Sequence, residues 1–142
     1  LMLPIFLLLV FTIMETGHLA FRTILLHHAA YEVARIGSLT ATAYAAPGCP
    51  PPVIDSGKMG KVLAAIFPPR APYPAPQLVA VAESTLTAPQ EGCSNFDVRV
   101  KIQHRTPMIL PMTGFILSNT KYRQYRVLTA EVRMTIERPL YK

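Results

Sequence analysis

The chain has 142 residues, a formal net charge of +6 and a hydrophobic fraction of 51%, yet only 15% of its residues are charged, against roughly 25% in typical soluble domains. That length fits one domain. Lys and Arg are scattered with no run of three, which argues against a nucleic-acid footprint and leaves surface solubility, or attraction to anionic surfaces, as the meaning of the charge.

Residues 1–14, LMLPIFLLLVFTIM, carry no charge at all. Good or tolerated helix formers continue to Ala46, and Pro47-Gly48 then provides a stop. A helix over residues 1–46 would be about 68 Å long at 1.5 Å per residue. A bilayer core needs only about 20 residues. Roughly half of this helix must therefore project beyond lipid or run inside another structure. The apolar run lacks a charged leading region and a small-residue cleavage site, so it does not read as a cleavable signal peptide. It is also shorter than a span, which predicts either further residues upstream of Leu1 or processing close to it. Pro4 either kinks the helix or occupies its first turn at little cost.

Glu15, His18 and Arg22 follow at spacings of three and four, on one helical face. They sit at the headgroup level, or they pair within or between packed helices, because ionisable groups beside an apolar run face protein or water. Leu3, Phe6, Leu7, Val10, Phe11, Met14, Phe21 and Leu25 are the expected subunit-packing residues. Further on, His28–Glu32 and Glu32–Arg35 decorate one side. Ala29, Ala30, Val33, Ala34, Ile36 and Leu39 keep an apolar stripe that should lie against a partner.

This stretch resembles the N-terminal helix of TadE-like pilins from tight-adherence pilus systems. The features that carry the resemblance are Leu3-Pro4 in the apolar run, Glu15 near Gly17, and the alanine-rich segment from Ala29-Ala30 through Ala34-Arg35. It covers the first 40 or so residues well and the rest loosely. Family members are made as prepilins and cut after a glycine, with a glutamate a few residues into the mature chain. Neither residue is present here, and Glu15 lies too deep to be that glutamate. The resemblance therefore implies a few residues upstream of Leu1.

Residues 47–142 should form the exported globular part of an α+β fold. Nine prolines crowd residues 47–76. Asp55-Ser56 could cap a short helix over residues 57–66, ended by Pro68-Pro69, and residues 68–76 should be extended. Cys49 and Cys93 form no CxxC pair. They read as one disulfide in an oxidising compartment, closing a loop of about 44 residues worth roughly 3–4 kcal/mol, or else as two free buried thiols. Strands are expected over residues 77–87, 97–104 and 125–137. The last two alternate: Val98, Val100 and Ile102, then Leu128, Ala130, Val132, Met134 and Ile136, face inward. A three-stranded antiparallel sheet with one covered face follows, and the upper half of the long helix is its expected cover. The apolar segment 106–119 is too short and proline-broken to cross a bilayer. It either closes over the sheet or is an exposed patch that meets a neighbour.

No catalytic constellation is visible. His27 and His28 are adjacent and point apart. His28 with Glu32 offers only two metal ligands, which do not make a site. No serine has a GxSxG context, and no phosphate-binding glycine motif occurs. The sequence thus predicts a structural subunit and not an enzyme, with no cofactor, no metal, no nucleic acid and no small-molecule substrate. The expected partners are further copies in a helical filament, other pilins, the pilus assembly machinery and, before assembly, the inner membrane. The expected destination is an extracellular adhesive filament. The alternative is a minor pilin, or a membrane-anchored periplasmic assembly factor that does not form the shaft.

Overall fold

The computed structural model describes residues 2–42, 51–69, 74–84, 96–110, 112–118 and 125–136. Six elements follow in chain order: α1 (Met2–Thr40), α2 (Ser56–Ile66), β1 (Gln77–Ser84), β2 (Phe96–Pro107), α3 (Thr113–Leu117) and β3 (Tyr125–Thr135). This is the expected α+β arrangement. The strands form one antiparallel sheet in the order β1-β2-β3.

Several boundaries differ from the sequence reading for local reasons. α1 ends at Thr40 and not near Ala46, because Thr42 leaves the helix to pair with Val53 through two backbone hydrogen bonds of 3.0 and 2.8 Å. β2 is longer than expected, since its pairing with β3 runs on to Pro107↔Tyr125. α2 starts where Asp55 caps it, with the Asp55 carboxylate accepting from the Lys58 amide at 3.0 Å. The short α3 inside the apolar segment 106–119 was not anticipated. Cys49 and Cys93 lie outside the described residues, as do the expected helix end at Ala46, the ends of the first and third expected strands at Thr87 and Glu137, and part of the proline-rich connector.

α1 lies across the sheet. Its residues Leu26, Ala29, Ala30, Val33 and Ala34 are buried, and they meet Val98, Val100 and Ile102 of β2 and Leu128 and Ala130 of β3 in one core with Met59 and Leu63 of α2. The buried positions recur at helical spacing, so a single stripe of α1 does all the covering. The small side chains along that stripe let the helix axis approach the sheet closely. Gly37 marks the tightest point: a Cβ there would sit 3.0 Å from Met59 Cε and 3.2 Å from Val98 Cγ1. On the sheet's other face Arg99 links the flanking strands, reaching Glu83 at 3.1 Å and Glu131 at 2.6 Å. These pairs are exposed and stabilise little. Their use is to fix cross-strand register.

The Gly37 contact predicts a stability cost. Gly37→Val should destabilise the detergent-solubilised chain by about 1–3 kcal/mol through overpacking, measured as a fall in Tm. Gly37→Ala should cost less, because the flexible tip of Met59 can move.

Candidate functional site

The lower part of α1 is the candidate site. The helix is long and apolar enough to cross a membrane. Thr12 and Thr16 donate their hydroxyls to the carbonyls of Leu8 and Thr12 at 2.8 and 2.7 Å, which satisfies both inside the helix. Between Met2 and Ile24 the exposed large apolar residues include Leu3, Phe6, Ile13, Met14, Phe21 and Ile24. Phe6, Ile13, Phe21 and Ile24 lie on the helical face opposite the one that carries Glu15, Leu19 and Leu26. So α1 presents an apolar outward face over this stretch, opposite an inward face on which Glu15 and Arg22 stand among apolar residues such as Leu19.

Glu15 is 1% exposed. Its carboxylate accepts the Ile109 amide at 3.1 Å on one oxygen and the Leu110 amide at 3.0 Å on the other. Two backbone N–H donors on a carboxylate are charge-assisted bonds, which are the stronger kind. The sequence reading grouped Glu15 with His18 and Arg22 as helix-bundle charge contacts. Within one chain the structure assigns Glu15 to the 109–110 backbone, and no Glu15–Arg22 ion pair occurs among the described residues. Nothing in the sequence marked Ile109 and Leu110 as its partners. Backbone donors carry no side-chain signature, and 94 residues separate Ile109 from Glu15.

Two turns further up, Arg22 faces a cleft of about 320 Å³ bounded by the end of α2, the Pro68 and Pro74–76 stretches, and the last residues of β2. The inward face of β2, apolar through Ile102, turns polar at His104 and Thr106. Arg22 Nε, His104 Nδ1 and Thr106 Oγ1 are all enclosed without a hydrogen-bond partner among the described residues. His104 stacks at a tilt on Phe67, 5.3 Å between ring centres. Burial, and then the nearby Arg22 charge, push its pKa below the ordinary 6.5.

Of the expected packing residues, Leu3, Phe6, Leu7, Met14 and Phe21 are exposed, while Val10, Phe11 and Leu25 are half-buried. Leu25 packs against the domain core, and Phe11 lines an apolar groove with Met112 and Thr113. Three or more His, Cys, Asp or Glu side chains do not gather as metal ligands among the described residues.

Residues 1–35 match the family of TadE-like proteins, so the resemblance carried by the helix sequence holds over that segment. No curated protein and no solved structure matches the chain.

The His104 environment has a pH consequence. A histidine whose folded pKa lies below 6.5 binds its proton more readily in the unfolded chain, so stability is complete above pH 6.5 and declines as the pH falls below it. Tm measured in detergent between pH 7.5 and 5.5 should fall on acidification. His104→Gln should flatten that slope, and Arg22→Gln should reduce it in part.

Proposed function

We propose that this chain is a structural subunit of a Tad-type pilus, held in the inner membrane by α1 and then incorporated into an extracellular filament through the same helix. The family match over residues 1–35 supports association with a pilus system. The observation that carries the filament reading is the outward face of α1. By the level of Leu19 and Leu26 the inward face is already buried, yet Phe21 and Ile24 on the opposite face remain 64% and 69% exposed. An anchor that only holds a domain to lipid has no use for apolar residues on both faces at this level. A helix that exchanges lipid for neighbouring helices does, and burying each such side chain yields about 1.5–3 kcal/mol.

In this reading Leu3, Phe6, Leu7, Met14 and Phe21 pack between subunits. Glu15 is occupied within its own chain and Arg22 faces its own domain's cleft, which leaves His18 to meet charge on a neighbour. Cys49 and Cys93 close a disulfide once the domain is exported, and the chain serves attachment rather than catalysis.

The test is electron microscopy of sheared surface material with immunogold labelling of this chain. Filaments labelled along their length are expected. Phe21→Glu with Ile24→Glu should abolish them while leaving the membrane level of the protein and the folding of the sheet domain intact. His18→Ala should lower filament yield. Unchanged yield in the double variant would overturn helix-driven assembly, and label confined to the tips would assign a minor subunit.

A further inference from the structure

Past the last pair of β2 and β3, Pro107↔Tyr125, the described residues 108–110 and 112–113 run on down α1. Ile109 and Leu110 lie at Glu15. Met112 and Thr113 lie at Pro4, Leu8 and Phe11. Since β2 meets α1 near Gly37 at one end and near Arg22 at the other, segment 108–118 continues the strand's course toward the N-terminus of the helix. It reaches the level of residues 4–15, the uncharged part of α1 and the Glu15 that ends it.

This segment inverts the usual pattern of a surface loop. Several of its polar groups are satisfied within the protein. The Ile109 and Leu110 amides are taken by Glu15, and the Leu110 carbonyl accepts the Thr113 hydroxyl at 2.8 Å. The Ser118 amide donates to the Gly114 carbonyl, and the Leu117 carbonyl accepts from Arg126 at 3.1 Å. Three of its apolar side chains are exposed, Ile109 by 64%, Met112 by 74% and Ile116 by 55%, while Met108, Leu110 and Leu117 are half-buried. Residues 106–118 contain no charge, while Arg105 precedes them and Lys121, Arg123 and Arg126 follow. Irregular backbone is tolerated at hydrocarbon depth only where its hydrogen bonds are closed inside protein. Basic residues at the margin suit anionic lipid headgroups.

We propose that residues 107–110 and 112–118 form a membrane-dipping wedge. It inserts into the acyl region of an anionic phospholipid bilayer beside α1, is held to the helix by the Glu15 carboxylate, and is flanked at headgroup level by Arg105 and Arg126. Glu15 is thereby a positioning residue that closes two amides which lipid cannot satisfy. Met112 lies at the turn into α3 with a left-handed backbone, φ 67°, an unusual conformation for a long side chain and one that throws that side chain outward. The inference rests on membrane anchoring by α1 and is independent of filament formation.

The chain contains no tryptophan, so single substitutions report one position each. The full chain would be reconstituted into phosphatidylcholine–phosphatidylglycerol vesicles carrying Leu9→Trp in the helix, Ile116→Trp in the wedge or Val81→Trp on the outer sheet face. Brominated acyl chains and aqueous iodide would then compete as quenchers. Expected are bromine quenching and iodide shielding for Leu9→Trp and Ile116→Trp, and the reverse for Val81→Trp. If Leu9→Trp is quenched by bromine while Ile116→Trp is open to iodide, the wedge is refuted and the anchor stands. If Ile116→Trp is shielded from both quenchers, protein and not lipid covers it, which also refutes the wedge. If Leu9→Trp escapes bromine, the anchoring premise fails and the wedge fails with it. Adding Glu15→Ala to Ile116→Trp should abolish bromine quenching at 116, and adding it to Leu9→Trp should change nothing. Glu15→Gln, which keeps one acceptor oxygen, should retain part of the effect. Unchanged quenching at 116 in the Glu15→Ala variant would overturn the role given to Glu15.

Discussion

Everything in this molecule depends on one stripe of one helix. The small residues Ala29, Ala30, Ala34 and Gly37, with Leu26 and Val33 among them, bring the upper half of α1 close onto the inner face of β2 and β3. A three-stranded sheet on its own leaves an apolar face to water, and α2 is too short to cover it. The helix that is long and apolar enough to cross a membrane is therefore also the principal lid of the domain core. The helix cannot be cut near Leu26 without opening that core.

The same stripe, followed downward, changes chemistry in step with its surroundings. It is small and apolar against the sheet, and basic at Arg22 where β2 turns polar at His104 and Thr106. At Glu15 it is acidic, where two amides need an acceptor, and it is apolar again at Phe11, Leu8 and Pro4. Each change is matched by what lies opposite. Charge on this face is thus a record of the path that β2 and its continuation take along the helix.

Much of this was legible in the sequence because it is periodic. The alternation of Val98, Val100 and Ile102 and of Leu128 through Ile136 fixed two strands and their inward faces, and the apolar positions from Ala29 to Ala34 named the cover. Asp55 announced the start of α2. What could not be read was non-local and backbone-borne. Glu15 at three-residue spacing from His18 looks like a member of a charged helical face, and side-chain spacing cannot reveal that its partners are the N–H groups of two apolar residues 94 and 95 positions away. The end of α1 at Thr40 was missed for a similar reason: the Thr42–Val53 bridge outcompetes helix formation by residues whose local propensity permits it. α3 was hidden inside a stretch whose prolines argue against any helix.

The position of β2 has a mechanical corollary. It is the central strand, 12 residues long, hydrogen-bonded on both sides and continuous with the segment tied to Glu15. Tension applied between the lower helix and the sheet would be transmitted along this strand's own axis. An antiparallel ladder pulled lengthwise must break many hydrogen bonds together, whereas one peeled from its end yields them singly. The central strand would thus resist a lengthwise pull by shear of its whole ladder rather than by peeling.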